Sequence, residues 1–251
     1  MPNTPAPLLR LEGVTKNFGG VEAVVDVNLD LHRHEVVALV GDNAAGKSTI
    51  ARMLAGVHQP TEGRILIDGH PVAIPSTRAA FDLGIATVFQ ELALCDNLDV
   101  TANIFLGREI YEGTRLLDER LMERSARTYL DTLRSRIPDV HTPLHDLSAG
   151  QRQCVAIART LVADPRIVLL DEPTASLSVA QTAEVLTHIS RLRDLGMGVI
   201  FISHNLTDVR AVADRIVVLR HGRINGIFDA AQASYEDVIA AMTGASQHAL
   251  S

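Results

Sequence analysis

The chain has 251 residues, of which 47% are hydrophobic and 21% charged, a composition typical of a folded globular domain with a substantial core. Its formal net charge of −7 argues against a surface built for nucleic-acid phosphates, so we expect no nucleic-acid partner. No apolar run approaches the roughly 18 residues of a membrane-spanning helix, and the N-terminal residues lack the pattern of a signal peptide. If this protein works at a membrane, we expect a partner to hold it there.

Short β-rich runs separated by turns occupy residues 8–90, with a predicted hairpin turn at Asp68-Gly69. From Asn97 to about Leu147, apolar residues recur at helical spacing and charges fill the other faces. This stretch predicts a helical subdomain, bounded at 91–150, inserted into an α/β body.

Strands and helices alternate after residue 150. The apolar run IVLLDEP is followed by a predicted helix from Ser178 to Asp194, the run GVIFISH and a helix around Thr207 to Asp214. A last helix is expected from about Ala230 onward. Alternation of this kind favours a largely parallel sheet covered by helices.

Candidate metal ligands outside these elements are sparse. Cys95 and Cys154 match no zinc or redox spacing, and we expect inert thiols of a cytosolic protein. The histidines of 32–34, and His141 with His145, lack a third ligand at local spacing and are interpreted as surface residues.

The most specific motif is the glycine-rich run at 41–49, which satisfies G-x-x-x-x-G-K-[ST] between an apolar strand and a helix. Its backbone N–H groups and the helix N-terminus would face phosphates. Lys47 would place its charge against the β- and γ-phosphates, and the Ser48 hydroxyl would bind Mg²⁺. The predicted nucleotide-binding residues here are Gly41, Asn43, Ala44, Ala45, Gly46, Lys47, Ser48 and Thr49. The motif alone leaves kinases, GTPases and many ATPases open.

Two later motifs narrow the choice. Leu147-Ser148-Ala149-Gly150-Gln151 precedes a predicted helix, and the strand IVLLDEP ends in the adjacent carboxylates Asp171 and Glu172. The first segment resembles the LSGGQ signature of ATP-binding cassette (ABC) proteins, and the second follows it at that family's spacing. The resemblance covers the chain from about Leu8 to Gly244, as a single ABC domain over 8–244.

The resemblance implies an α/β fold with a P-loop NTPase core, a mainly parallel sheet, an N-terminal antiparallel β subdomain and the inserted helical subdomain. It also implies the cofactors ATP and Mg²⁺, with Asp171 holding the metal mainly through water and Glu172 acting as general base. Gln90 matches the glutamine that reaches the metal and the attacking water, and His204 the histidine that contacts the γ-phosphate. Phe18 matches the aromatic residue that stacks on adenine.

In this family two cassettes bind ATP between them, head to tail. Ser148, Gly150 and Gln151 would therefore act on ATP bound by a second copy of the chain. Three positions depart from the family pattern: Ala44 and Ala149 stand where glycine is common, and Ser178 stands where many members have aspartate. A positive φ at residue 44 would make its alanine unfavourable.

Several segments look like the ATP subunits of monosaccharide importers of the ribose and fructose type: VALVGDNAAGKSTIARMLAGVHQPTEG, ATVFQELALCDNLDVTANIFLGRE and FISHNLTDVRAVADRIVVLRHGR. The likeness is to the single-cassette, fructose-type branch, which implies a homodimer. It also implies integral-membrane permease subunits that dock against Glu91 to Val100, a sugar-binding protein as an indirect partner, and a peripheral position at the cytoplasmic face of the membrane. Among monosaccharides, the residues of these segments favour fructose.

Two other functions remain open at this stage. One is a cytosolic ABC ATPase that serves nucleic acid or ribosomes, although such relatives typically fuse two cassettes or carry long coiled coils. The other is a non-catalytic nucleotide-sensing subunit, because the three departures together could weaken turnover.

Overall fold

Two sheets of different character make up most of the β structure. The computed structural model describes residues 6–113 and 116–245. The strands in those ranges are β1 (Leu9–Phe18), β2 (Val21–Leu31), β3 (Glu35–Val40), β4 (Glu62–Ile67), β5 (His70–Val72), β6 (Ile85–Val88), β7 (Tyr111–Glu112), β8 (Leu116–Leu117), β9 (Ile167–Asp171), β10 (Gly198–Ile202), β11 (Arg215–Arg220) and β12 (Arg223–Asp229).

Helices cover and connect these strands. They are α1 (Lys47–Leu54), α2 (Thr77–Asp82), α3 (Val100–Phe105), α4 (Glu119–Thr132), α5 (Ala149–Leu161), α6 (Val179–Asp194), α7 (Leu206–Val212) and α8 (Tyr235–Thr243), with a 3₁₀ turn at Leu144–Asp146. Across the described ranges, no helix combines the length and the apolar character needed to cross a bilayer.

The larger sheet has the order β12-β11-β3-β10-β9-β6, and all neighbouring pairs except β11 with β12 are parallel. Every residue of β3, β9 and β10 is buried, because both faces of this sheet are covered. The carboxyl ends of its parallel strands therefore meet at one edge, where ligands bind in open α/β sheets. The predicted P-loop NTPase fold with a mainly parallel sheet is confirmed.

The second sheet, of order β2-β1-β4-β5, is antiparallel throughout. Its buried side chains form one core with Val37 and Leu39 of β3, whereas Val36, Ala38 and Val40 point into the other core, with the helices. The predicted hairpin at Asp68-Gly69 joins β4 to β5, and both residues have the positive φ of a two-residue hairpin turn.

The stretch from Asn97 to Leu147, predicted to be a helical subdomain, contains the helices α3 and α4 and also a short hairpin that was not predicted. Helix α3 covers only six residues, and a short hairpin follows it, in which β7 pairs antiparallel with β8. The helix ends for a local reason: Leu106 has φ −53° and ψ 118°, outside the helical region, and Gly107 has φ 75°. The bounds 91–150 for an inserted subdomain stay a prediction.

The other predicted helices are present with shifted ends. Ser178 is the N-cap of α6 rather than its first residue, and α7 begins at Leu206 and ends at Val212. The last helix is α8, which starts five residues after Ala230. The final six residues of the predicted tail, 246–251, lie outside the described residues.

Candidate functional site

The glycine-rich loop joins β3 to α1, and two of its glycines have no room for a side chain. Gly41 has φ 147°, and a Cβ there would collide with the carbonyl oxygen of Leu219. Gly46, the N-cap of α1, has φ 106°, and a Cβ there would lie 2.8 Å from the carbonyl oxygen of Ala23. The tight loop that a phosphate group requires is therefore fixed by contacts to neighbouring strands.

Lys47 is buried at the start of α1 and is held inside the loop. Its Nζ donates hydrogen bonds to the carbonyl oxygens of Gly41, at 2.6 Å, and Asp42, at 2.9 Å. Burial lowers the pKa of Lys47, and the nearby carboxylates, chiefly Glu172 and Asp171, act in the opposite direction. The ammonium group is thus poorly solvated, which strengthens its attraction for an anion.

Ala44 has φ 64°, in the left-handed region. An alanine there is disfavoured because its Cβ crowds the following carbonyl oxygen. Residue 44, an alanine where glycine is common in the family, therefore has the positive φ that makes alanine unfavourable. The side chain is exposed, so the cost is conformational rather than a packing clash.

Asp171 and Glu172 lie at the carboxyl edge of the larger sheet, next to the end of β10. Asp171 is the last residue of β9 and pairs in register with Ile202. Its side chain is buried, and burial together with adjacent Glu172 raises its pKa, while Lys47 and Arg52 lower it.

Glu172 and His204 are in direct contact. The Nδ1 of His204 lies 2.9 Å from Oε2 of Glu172, although 32 residues separate them in sequence. The Glu172 side chain is 16% exposed and that of His204 is 69% exposed. Glu172 has φ 52°, and its amide donates to the carbonyl oxygen of Ile202 at 3.0 Å. A carboxylate in a strained backbone, facing a histidine, is an arrangement typical of functional sites.

Gln90 belongs to the same region as His204. It follows β6 by two residues and shares with His204 a cleft of about 710 Å³. Other residues that line this cleft are Thr174, Ala175, Ser176, Leu177, Val179, Ser203 and Asp208. The structure therefore brings Gln90 and His204 together, and His204 contacts Glu172.

The segment Ser148 to Gln151 forms the first turn of α5. Ser148 is the N-cap, and it and Gln151 exchange hydrogen bonds in a capping box. Ser148, Gly150 and Gln151 line a different cavity of about 430 Å³, which also borders Cys154 and His188. The chain does not bring this turn into the cleft of Gln90 and His204.

Phe18 ends β1 and is 43% exposed. Its ring meets His58 edge-to-face at a centroid distance of 5.0 Å, and the Nζ of Lys16 lies 5.1 Å from its centroid. Much of the ring remains accessible to a stacking partner.

Comparison with known proteins agrees with these elements. The model of the ABC transporter family matches residues 24–175. The xylose/arabinose import ATP-binding protein XylG of Sulfolobus acidocaldarius is 43% identical over 86% of both chains. This chain belongs to the ABC transporter family.

A putative ribose/galactose/methyl galactoside import ATP-binding protein of Burkholderia cenocepacia is 42% identical over 97% of this cassette and 48% of its own length. The cassette thus spans about half the length of such relatives. Among solved structures, CbiO1 of Clostridium perfringens, part of the CbiONQ transporter complex, has a TM-score of 0.80 at 28% identity, over 93% of each chain. The dimeric cassette MJ0796, bound to ADP and phosphate, has a TM-score of 0.74 at 26% identity, over 88% and 98%.

The oxygen donors of the cassette fit Mg²⁺ bound together with a nucleotide. The exposed hydroxyl of Ser48, the carboxylate of Asp171 and the side-chain amide of Gln90 are hard ligands of the kind that Mg²⁺ prefers.

Gly150 is required by packing within the cassette. A Cβ there would lie 2.9 Å from the Cβ of Gln181 in the first turn of α6. The neighbouring Ala149 is exposed and occupies the first helical position, where alanine is favourable. Of the two positions, therefore, only residue 150 requires glycine for packing within the chain.

Ser178, which stands where many family members have aspartate, is the N-cap of α6. Its side chain accepts from the amide of Gln181, whose own side chain bonds back to the Ser178 amide, so it forms a second capping box. Serine and aspartate are both good N-caps, so α6 can begin at the same position with serine in place of aspartate. The pattern S-x-x-Q before an apolar run was the sequence signal for it.

The two cysteines are free thiols within the described part of the chain. Cys154 is buried, and burial raises its pKa to about 11, which makes its thiolate scarce at neutral pH. Cys95 is half-buried, and its backbone amide and carbonyl both bond to the side chain of Asn103.

Proposed function

We propose that this cassette binds ATP with Mg²⁺, hydrolyses it, and thereby energises the import of a monosaccharide through a membrane permease. The observation that carries the proposal is the contact of His204 with Glu172 at the sheet edge that also holds Asp171 and the phosphate loop. A loop for phosphates beside a carboxylate–histidine pair is what phosphoryl transfer to water needs.

In this proposal Glu172 polarises the attacking water as general base, and His204 and Gln90 position the reacting groups. Mg²⁺, held near Ser48, Gln90 and Asp171, would supply charge neutralisation for the phosphates. Phe18 would stack on the adenine. The residues that would surround the phosphates are Gly41, Asn43, Ala44, Ala45, Gly46, Lys47, Ser48 and Thr49.

A second copy of the cassette would complete the site. Ser148, Gly150 and Gln151 line a cavity other than the cleft of Gln90 and His204, so they are free to act on a nucleotide bound by another chain. The dimeric structure of the similar cassette MJ0796 supports this arrangement.

The partners proposed from the relatives are permease subunits that dock on Glu91 to Val100 and, indirectly, a sugar-binding protein. The cassette would then lie at the cytoplasmic face of the membrane. The relatives described above are named for ribose, galactose, methyl galactoside, xylose and arabinose, so we propose a monosaccharide. Fructose stays a prediction from the sequence.

The first test combines turnover with light-scattering mass. We expect the wild-type cassette to release phosphate from ATP in the presence of Mg²⁺, and Glu172→Gln to shift from monomer to dimer when both are added. ATP binding without any hydrolysis, also when a permease is supplied, would favour the nucleotide-sensing alternative, for which the unfavourable φ of Ala44 is the one supporting observation. ATPase stimulation by RNA or DNA would favour the ABC ATPase that is not tied to transport.

A further inference from the structure

A largely buried hydrogen bond joins the segment that follows Glu172 to the helix that follows His204. The hydroxyl of Thr174 donates to Oδ2 of Asp208 at 2.8 Å. Thr174 is 8% exposed and Asp208 is 7% exposed, so both groups are largely removed from water. A hydrogen bond to a buried carboxylate is strong and is costly to leave unmade.

This bond joins the same two segments that carry the catalytic pair. Thr174 lies two residues after Glu172, on the segment that leaves β9, and Asp208 lies four residues after His204, in the first turn of α7. The segment after β9 and the segment after β10 are thus joined by two side-chain contacts, that of Glu172 with His204 and that of Thr174 with Asp208.

The segment after β9 needs such a tie, because its backbone is not relaxed. Glu172 has φ 52° and Ser176 has φ 64°, two left-handed positions on either side of Thr174. Non-glycine residues keep this conformation only where the surrounding structure imposes it. Pro173 has no backbone donor, so the side-chain contacts of Glu172 and Thr174 contribute to holding this segment.

We infer that Thr174 and Asp208 are positioning residues, whose hydrogen bond sets the placement of the Glu172 carboxylate relative to His204. The inference rests on the proposed ATPase function. Neither residue touches the reacting atoms in this account. Loss of the bond would let the segment after β9 relax and move the general base, and a displacement of about 1 Å can lower a rate roughly 100-fold.

The test uses Thr174→Val, which keeps the shape but removes the hydroxyl, and Thr174→Ser, which keeps the hydroxyl. We expect kcat to fall roughly 10- to 100-fold in the valine variant with nucleotide affinity nearly unchanged, and to recover in the serine variant. Hydrogen exchange should quicken at the amides of Glu172 and Ala175, which are bonded to Ile202 and Glu172 respectively. The matched control is Thr128→Val on α4, whose exposed hydroxyl donates to the carbonyl oxygen of Arg124 in its own helix.

A double variant, Thr174→Val with Asp208→Leu, separates positioning from stability. It removes the buried unpaired carboxylate, so resistance to urea should recover while kcat stays low. If kcat instead recovered with stability, or if Thr174→Val turned over ATP at the wild-type rate, the inference would be wrong. Absence of hydrolysis by the wild-type cassette would overturn the proposed function itself, a result distinct from either.

Discussion

The imidazole of His204 and the carboxylate of Glu172 meet at 2.9 Å, although one follows β10 and the other follows β9. The two strands are adjacent and parallel, with Asp171 opposite Ile202, so the residues just beyond them emerge side by side. The contact is therefore a consequence of sheet register. It gives the proposed general base a partner that the sequence alone could not pair with it.

Glu172→Gln should retain nucleotide binding and lose turnover. The amide keeps the size of the side chain but cannot accept a proton, and a general base contributes roughly 10²- to 10⁴-fold to a rate. Phosphate release measures the loss, and a direct titration measures nucleotide affinity. Glu123→Gln on α4, whose carboxylate lies 3.5 Å from the exposed His141, is the control. Wild-type turnover by Glu172→Gln would mean that another group is the base.

Lys47→Ala should weaken nucleotide binding. The ammonium group is buried among loop carbonyls, and its loss removes a charged hydrogen bond worth about 1.5 to 3 kcal/mol, or roughly 10- to 100-fold in Kd. Calorimetric titration of nucleotide checks this. Arg33→Ala removes an exposed cation that pairs with Asp68 and should leave the Kd unchanged. An unaltered Kd for Lys47→Ala would remove this residue from the proposed phosphate site.

The sequence predicted the parts of the site that follow buried parallel strands. β3, β9 and β10 are short, mostly apolar runs, and the site residues Gly41, Glu172 and His204 follow them within two residues, so their common edge could be expected. The bond between Thr174 and Asp208 could not be predicted, because it depends on two segments 34 residues apart. The hairpin of β7 and β8 was not predicted, because its strands are only two residues long and carry no alternating pattern.

Ala44→Gly should stabilise the cassette slightly. A left-handed alanine costs about 1 to 2 kcal/mol, and the extra freedom of glycine in the unfolded chain offsets about 0.5 to 1 kcal/mol of the gain. The free energy of unfolding in urea should rise by up to about 1 kcal/mol. Ala45→Gly gives the contrast, since Ala45 is buried and is not among the positive-φ residues, and should destabilise. Equal effects of the two substitutions would contradict the assigned strain.

His188 should make stability depend on pH. Burial lowers its pKa in the folded state, while its contacts with Leu133 and Glu184 oppose the shift only in part. The unfolded chain therefore binds more protons below about pH 6.5, and the free energy of unfolding should fall as pH decreases through that range. Urea unfolding at pH 7.5 and 5.5 measures it. The raised pKa of Asp171 has the opposite effect, because it makes the folded state bind more protons as pH falls. The contribution of His188 is therefore measured against His188→Gln, whose free energy of unfolding should fall less between pH 7.5 and 5.5. An identical loss in both would exclude His188 as the source.

Asn103→Ala should loosen the segment proposed to dock the permease. The fully buried side chain of Asn103 accepts from the amide of Cys95 at 2.8 Å and donates to the carbonyl oxygens of Cys95, Leu98 and Asp99. Its removal takes away the acceptor of the Cys95 amide, at about 1 to 3 kcal/mol. The carbonyl oxygens of Cys95, Leu98 and Asp99 each keep a bond from a backbone amide.

We expect a lower free energy of unfolding for Asn103→Ala and faster hydrogen exchange at residues 95–99. The exposed Asn28, which also accepts from a backbone amide, that of Gly13, provides the matched alanine control. Nucleotide affinity should stay unchanged, because the segment lies between α3 and β6, outside the phosphate loop. Unchanged exchange at 95–99 would show that other contacts hold this segment in place, and that Asn103 serves only the core of the helices around it.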